Sequence, residues 1–193
     1  MARPVVILFA KAPRLGMVKR RLAAGIGDVA ALRFHRSTLA ATLRKLRRLH
    51  GCQKVLLGTP DHVFIHCPPG WMRLPQGHGD LGARMQAAFN RWRRRPIILV
   101  GVDIPGLQVQ DVRDAIAALK HGDAVFGPAA DGGYYLVGMA RKRPARCFAG
   151  VRWSSADALA DTLKNFGNCR VRFVCMRRDV DTAEDLMFPE AAA

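Results

Sequence analysis

Uninterrupted runs of apolar residues mark the strands of this chain. The clearest run is residues 97–100, Ile-Ile-Leu-Val, and residues 5–10 have the same character. A strand without a polar face is buried on both sides, as in a parallel sheet covered by helices. The pattern predicts strands at residues 5–10, 54–57, 97–100, 123–128, 134–139 and 171–176, and two short extended pieces within residues 61–74.

Apolar residues at helical spacing predict helices between these strands. One buried stripe is formed by Val29, Leu32, Leu39, Leu43 and Leu46. It predicts a helix from Asp28, as its N-cap, to about His50. Further helices are expected up to residue 93 behind a cap at Asp80, and over residues 111–120 and 156–166. This alternation favours a Rossmann-like, three-layer αβα sandwich with a mainly parallel mixed sheet, in one domain over residues 1–193.

Four aspartates fall at the ends of predicted strands or in turns: Asp103, Asp131, Asp179 and Asp181. In an open α/β sheet the end of the central strand, where Asp103 lies, faces the ligand crevice. Structural roles remain open: Asp103 as a cap, Asp131 in a hairpin turn with Gly132 and Gly133, and Asp181 as the cap of a terminal helix. Carboxylates meeting among Lys and Arg would bind a divalent cation together with a phosphorylated ligand, because Mg²⁺ takes one or two carboxylates and completes its shell with phosphates.

Two loops could contact phosphates. Residues 11–22, from Lys11 through Gly16 to Lys19 and Arg21, combine turn-forming residues with cations, although this loop contains neither GxxxxGK[ST] nor GxGxxG. Residues 76–85 form a glycine-rich loop that enters a helix at Asp80, with Arg84 one turn later. The amino end of a helix is a ready anion site.

The charge of the chain is strongly positive. Among 193 residues, 31 Lys and Arg oppose 15 Asp and Glu, which gives a formal net charge of +16. Such a charge attracts nucleic acid, anionic membranes or phosphate-rich small molecules. The clusters at residues 44–48 and 91–95 lie at predicted helix ends, where solvated cations are common. No RNP signature, zinc finger or basic-region heptad is present, so nucleic acid is not expected as the partner.

The cysteines and the hydropathy pattern bear on the compartment. Five scattered cysteines without a CxxC pair suggest neither a disulfide framework nor a zinc site, and they fit a reducing compartment. The apolar run at residues 5–10 is far shorter than the roughly 20 residues needed to span a bilayer. A cytoplasmic protein without a membrane partner is expected. The oligomeric state is not predicted.

Several motifs together resemble a known bacterial family. They are KAPRLGMVKRRL, QGHGDLGARM, VGVDIPGL, GPAADGGYYLVGM, VRWSSADALADTL and DVDTAEDL, which extend from Lys11 to Leu186. The family comprises uncharacterised transferases that are glycosyltransferase-like or radical-SAM/selenodomain-associated. It belongs to the nucleotide-diphospho-sugar transferase superfamily, with the glycosyltransferase A-type fold. A more distant likeness is to phospholactate guanylyltransferases and molybdopterin nucleotidyltransferases.

The resemblance implies a role for each matched residue. Lys19 and Arg21 match a basic pair at the nucleotide phosphates, and Asp103 matches the metal-binding aspartate of the central strand. Asp181 matches the late aspartate that shares this metal, expected to be Mg²⁺ or Mn²⁺. Residues 131–133 match a loop that lines the nucleotide or acceptor pocket. Arg20 departs from the pattern, because the family usually has threonine at this position.

The leading hypothesis is a Mg²⁺-dependent nucleotidyltransferase that joins NMP from an NTP to a small phosphorylated or phosphonate acceptor. An ionised acceptor oxygen needs no catalytic histidine, so positioning and charge neutralisation by Lys19, Arg21 and Asp103 supply the rate. A glycosyltransferase that uses a nucleotide sugar is the close alternative. The central strand carries a single aspartate rather than a DxD pair, which leans towards nucleotidyl transfer. A basic nucleic-acid-binding protein is the third hypothesis.

Overall fold

Seven strands form one mixed sheet at the centre of the protein. The computed structural model describes residues 2–187. Its strands are β1 (Val5–Lys11), β2 (Gln53–Thr59), β3 (Met72–Pro75), β4 (Ile97–Gly101), β5 (Ala124–Pro128), β6 (Tyr134–Met139) and β7 (Val171–Phe173). Across the sheet they lie in the order β3-β2-β1-β4-β6-β5-β7. Of these strands β6 alone runs antiparallel to its neighbours, β4 and β5, so the predicted mainly parallel mixed sheet is confirmed.

Helices cover both faces of this sheet. They are α1 (Arg20–Ile26), α2 (Asp28–Arg47), α3 (Leu81–Arg91), α4 (Val109–Ala118) and α5 (Ala158–Lys164), followed by a 3₁₀ helix, Glu184–Met187. Alternate residues of β1 point to opposite faces. Val6 and Leu8 join a core cluster with α2 and α4, whereas Val5 and Ile7 join one with α3 and α5. The predicted three-layer αβα sandwich is therefore confirmed.

The order of the strands creates a crevice between β1 and β4. From β1 the chain passes to β2 on one side, and β4 pairs with the other side of β1. Connections therefore leave the carboxyl ends of β1 and β4 in opposite directions. This is the point at which open α/β sheets bind ligands.

The hairpin predicted from Asp-Gly-Gly is confirmed between β5 and β6. The amide of Ala129 donates to the carbonyl of Gly133 at 3.0 Å across the turn. Gly132 has φ 86°, and a Cβ there would lie 2.1 Å from the carbonyl oxygen of Ala156. Glycine is therefore required at this position both by its backbone conformation and by the close approach of the next loop.

Four segments differ from the sequence-based prediction. Residues 20–26 form α1, where the sequence predicted a loop up to residue 22 and no element for residues 23–26; α1 has one buried residue and so no apolar stripe to reveal it. The two extended pieces expected in residues 61–74 are replaced by the single edge strand β3. The last strand stops at Phe173 rather than continuing to residue 176. The cap of α2 is Gly27, so Asp28 is its first helical residue and not the N-cap.

None of the helices within residues 2–187 is both long enough and apolar enough to cross a membrane.

Candidate active site at the carboxyl end of the sheet

A large cavity lies over the crevice between β1 and β4. Its volume is about 760 Å³, within the usual range of small-molecule sites. The strands bring Lys11 and Asp103 to it, and the loops after β5 and β7 bring Asp131 and Asp181. The sequence pattern predicted that these groups converge at strand ends. The structure brings them together.

A buried ammonium group lies between two carboxylates of this cavity. The Nζ of Lys19 is 2.6 Å from Oδ1 of Asp103 and 2.8 Å from Oδ1 of Asp181, and it also donates to the carbonyl oxygen of Val180 at 2.8 Å. These three contacts match the three donors of an ammonium group. The Lys19 side chain is 5% exposed, whereas those of Asp103 and Asp181 are 56% and 40% exposed. The two carboxylates can therefore still bind a ligand from the cavity side.

The backbone conformation of Lys19 is unusual for a residue with a side chain, and the surrounding charges keep its ammonium group ionised. Its φ of 49° and ψ of 47° are left-handed, and the residue stands at the N-cap of α1 without a side-chain cap. Burial alone would lower the pKa of Lys19, but the charges of Asp103 and Asp181 outweigh burial and raise it. Lys19 therefore remains protonated at neutral pH.

A second pair of acids lies in the same cavity. Asp179 and Asp131 both line it, and Asp131 also accepts a hydrogen bond from the amide of Gly133 at 2.8 Å. Burial, the charge of Asp131 and that of Asp181 raise the pKa of Asp179 to about 6. Four of the 15 acidic residues of the chain thus line this one cavity, together with five cations: Lys11, Lys19, Arg20, Arg21 and Arg84.

Buried polar side chains fix the walls of the cavity. The amide nitrogen of Gln76 donates to the carbonyls of Ala10 and Leu57, each at 3.0 Å, and its oxygen accepts from Nη1 of Arg84 at 2.9 Å. On α2, Nε2 of His35 donates to the carbonyl of Lys11 at 2.9 Å. Burial lowers the pKa of His35, which keeps the ring neutral at neutral pH. Gln76 and His35 therefore hold the ends of β1, β2 and α3 in place.

Most of the residues singled out in the sequence line this cavity. The members are Lys11, Lys19, Arg21, Arg84, Asp103, Asp131, Gly133 and Asp181. Three others are not among its lining residues. Gly16 lies in the turn of residues 14–17, Gly132 shapes the hairpin, and Asp80 caps α3 by accepting from the amide of Ala83 at 2.7 Å. For these three the structure shows a local backbone role.

Other residues of the cavity were not predicted from the sequence. His35 and Gln76 were not singled out, and neither was Trp153, which lines the cavity beside Ser154. Arg20, the departure from the family pattern, also lines it. A signal was available for Trp153, because it lies in the VRWSSADALADTL motif. No comparable signal existed for His35, which sits on the buried stripe of α2 like a core residue.

The donor set agrees with a site completed by phosphate oxygens. Within residues 2–187 no group of three or more His, Cys, Asp or Glu is arranged to hold a metal ion. Asp103 and Asp181 share one cation, the ammonium of Lys19, and supply hard oxygen ligands. Two carboxylates suit Mg²⁺ or Mn²⁺ when substrate phosphates supply the remaining ligands.

Comparison with known proteins identifies the family. The family model described as "Uncharacterized protein conserved in bacteria (DUF2064)" matches residues 42–155. This chain belongs to that family. A provisionally named nucleotide-diphospho-sugar transferase from Desulfovibrio desulfuricans G20 is 31% identical, with a TM-score of 0.85 over 94% of this chain and 84% of the other. No similar protein was found among curated sequences.

Two more distant solved structures share the fold. CMP:2-keto-3-deoxy-manno-octonic acid synthetase in complex with CTP is 11% identical, with a TM-score of 0.58 over 96% of both chains. The Rv0371C protein of Mycobacterium tuberculosis H37Rv in complex with manganese is 19% identical, with a TM-score of 0.57 over 96% of this chain and 97% of the other. These two structures show the fold alone, whereas the 31% identical relative confirms the expected membership of the nucleotide-diphospho-sugar transferase superfamily and the expected class, a transferase.

Proposed function

We propose that this protein is a nucleotidyltransferase that uses a divalent metal ion to transfer NMP from an NTP to a small phosphorylated or phosphonate acceptor. The observation that carries the proposal is the buried ammonium of Lys19 between Asp103 and Asp181, at the crevice between β1 and β4. A metal–triphosphate complex needs carboxylates for the metal and cations for the phosphates. Both are present in one cavity.

Asp103 and Asp181 would hold the ion, Mg²⁺ or Mn²⁺. Both lie within 2.8 Å of the same nitrogen atom, and both keep a large exposed fraction towards the cavity. A bound ion would supply charge neutralisation on the triphosphate and on the departing pyrophosphate. The fold relative from Mycobacterium tuberculosis, which was crystallised with manganese, supports this assignment.

The cations that line the cavity would bind and orient the triphosphate of the nucleotide. Lys19 keeps its proton and holds Asp103 and Asp181, whereas Arg20 and Arg21 also line the cavity and are available to donate to phosphate oxygens. An acceptor oxygen would form a bond to the α-phosphorus while the bond to the bridging oxygen breaks and pyrophosphate leaves. A phosphate oxygen is already ionised at neutral pH, so no side chain has to remove a proton.

A glycosyltransferase is the second candidate. The 31% identical relative bears the name of a nucleotide-diphospho-sugar transferase, which supports it. The end of β4 instead reads Val102-Asp103-Ile104, with one carboxylate and no DxD pair. The products separate the two reactions, because nucleotidyl transfer releases pyrophosphate and glycosyl transfer releases a free nucleoside diphosphate.

The first test is ligand binding measured by thermal shift. The four NTPs and a set of nucleotide sugars are each added with and without Mg²⁺ or Mn²⁺. A ligand at 100 times its dissociation constant stabilises by about 2.7 kcal/mol, which corresponds to about 5–11 °C in a chain of this size. We expect one NTP to give a metal-dependent shift.

The matched variants are Asp103→Asn and Asp114→Asn. Asp103→Asn removes a proposed metal ligand without changing side-chain volume, so the metal-dependent shift and the release of pyrophosphate should both disappear. Asp114→Asn removes an exposed carboxylate on α4, outside the cavity lining, and should leave both unchanged. An unchanged shift and unchanged turnover in Asp103→Asn would contradict the assignment of the site.

A further inference from the structure

One end of the sheet, opposite the cavity, collects much of the positive charge. The register aligns the strand ends there: Val5 pairs with both Gln53 and Ile97, and Met139 pairs with both Ile97 and Ala124. The segments next to this row therefore lie side by side, although they are far apart in sequence. They include the last turn of α2 and the links that enter β4 and leave β6.

Three of these segments carry ten cations and no acid. They are residues 47–48, 91–95 and 141–146, and together with Arg3, Lys120 and Arg170 they are called the basic pole below. In the part of the chain that the structure describes, none of the ten cations has a carboxylate within salt-bridge distance. Arg170 is paired, with Asp123 at 3.4 Å. Asp103, Asp131, Asp179 and Asp181, by contrast, lie at the cavity end.

Two arginines of the basic pole fix its backbone. Nη2 of Arg143 donates to the carbonyls of Trp92, Arg93 and Arg95, at 3.3, 3.2 and 2.8 Å, and so joins the loop after β6 to the loop before β4. Nε of Arg95 donates to the carbonyl of Arg3 at 2.7 Å. The side chains presented on this framework, Arg93, Arg94 and Arg141 among them, are exposed. The positive charges are thus held close together by a fixed backbone. Their mutual repulsion destabilises the folded protein, and a bound anion would offset it.

The dimensions and chemistry of the basic pole indicate the partner. From β2 to β7 the row spans five strand spacings, about 24 Å. Duplex nucleic acid carries on the order of 14 phosphates over such a length. Nine of the ten cations are arginines, and seven of them are not used to fix this backbone; a guanidinium group binds phosphate oxygens through two parallel hydrogen bonds. An extended, regularly charged phosphate backbone therefore fits this surface.

The absence of exposed large apolar side chains from the three segments narrows the choice of partner further. In the described part of the chain, the exposed large apolar residues lie outside the three segments of the basic pole. Stable attachment to a membrane usually adds an apolar or lipid anchor to a polybasic patch, and binding of single strands adds exposed aromatic rings on which bases stack. We therefore propose that the basic pole binds the phosphate backbone of double-stranded nucleic acid, without sequence preference and separately from the cavity.

The test is fluorescence anisotropy of the full-length protein with a labelled 20-base-pair duplex of arbitrary sequence, titrated at several salt concentrations. The pole variant carries Arg93→Gln, Arg94→Gln and Arg141→Gln. Each lost phosphate contact should lower the slope of log K against log salt by about 0.9, so the slope should fall by about 2.7. At 0.1 M salt the affinity should fall on the order of 100-fold.

The control variant removes the same charge elsewhere. It carries Arg33→Gln, Arg36→Gln and Arg113→Gln, which are exposed on α2 and α4 away from the basic pole. Circular dichroism and melting temperature establish that both variants are folded. Near wild-type affinity of the control, with weakened binding of the pole variant, would support the proposal. Equal losses in both variants would overturn it, because net charge alone would then explain binding.

Two further ligands separate the chemistries that share negative charge. Vesicles of phosphatidylserine and phosphatidylcholine represent a membrane surface, and poly-glutamate represents charge without phosphate. The proposal requires the duplex to bind more tightly than either at the same salt concentration. Binding to the vesicles alone, binding of poly-glutamate as tightly as the duplex, or no binding of the duplex at 50 mM salt would each overturn it.

Discussion

Replacement of Asp179 by asparagine is expected to stabilise the protein above pH 6, although Asp179 lines the candidate active site. Burial and the charges of Asp131 and Asp181 raise the pKa of Asp179 to about 6 in the folded state. In the unfolded chain an aspartate titrates near 3.9. The ionised carboxylate is therefore less stable in the folded protein than in water, and asparagine removes this penalty while keeping the shape of the side chain.

The magnitude follows from the difference between the two pKa values. About two pKa units correspond to about 3 kcal/mol as an upper limit, and partial exposure of the side chain reduces this to on the order of 1–2 kcal/mol. The folded protein binds this proton more tightly than the unfolded chain, so the contribution is most favourable below pH 4 and is lost as the pH rises from about 4 to 6. Above pH 6 the deficit of the wild-type protein is constant.

Urea denaturation at pH 4, 6 and 7.5 measures this effect. We expect Asp179→Asn to exceed the wild-type free energy of unfolding by 1–2 kcal/mol at pH 7.5, about 2–8 °C in melting temperature, and to match it near pH 4. Asp114→Asn, which removes an exposed carboxylate on α4, should show no such pH-dependent difference. The reasoning would be refuted by an Asp179→Asn variant that is less stable than wild type at pH 7.5, or by a difference independent of pH.

Two further predictions concern stability. Asp161 accepts hydrogen bonds from Nε of Arg152 at 2.7 Å and from Nζ of Lys164 at 2.8 Å, and these contacts lower its pKa, so Asp161→Asn should lower the melting temperature at pH 7. A lowered pKa stabilises the folded state above pH 4, and this contribution is lost as the pH falls further. The difference in melting temperature between Asp161→Asn and wild type should therefore shrink in thermal melts from pH 7 to 2.5. A difference that stays constant over this range would contradict the prediction. Gly132→Ala should cost more than the roughly 1–3 kcal/mol of left-handed strain, because its Cβ would also clash with the carbonyl of Ala156. Gly51→Ala is the control, since Gly51 has φ 70° and no atom within 4 Å of its Cβ position; equal losses in the two variants by urea denaturation would refute the role of the clash.

The fold could be predicted because its strands are buried on both faces. Each of Ile97, Ile98 and Val100 in β4 is fully buried, so no alternation with polar residues obscures the strand. The strands at the two edges of the sheet had weaker sequence patterns. In β3, Met72 and Arg73 are exposed, and in β7 so are Arg172 and Phe173; the limits of these strands depend on pairing with a neighbour, which no local pattern reveals.

The acids of the candidate site could be predicted because acidic residues are few in this basic chain and four aspartates fall at predicted strand ends or in turns. The central role of Lys19 could not be derived from spacing. Its ammonium reaches Asp103 and Asp181, which follow it by 84 and 162 positions, so only the three-dimensional structure shows the contact. Gln76 and His35 went unnoticed for a related reason. Their importance lies in hydrogen bonds to backbone carbonyls of other elements, and those bonds leave no residue pattern.

The distribution of charge over the two ends of the sheet bears on how a nucleotide would enter the cavity. A protein with a net charge of +16 attracts anions over long distances, and Lys11, Arg20, Arg21 and Arg84 line the cavity, but Asp103 and Asp181 oppose a bare triphosphate at short range at the proposed metal site. Lys19 is already engaged by two of these carboxylates and so has little charge left to offer. Under the proposed function, the nucleotide should therefore bind far more tightly as its metal complex than alone. The metal ion lowers the negative charge of the triphosphate that faces Asp103 and Asp181, and both carboxylates can coordinate it.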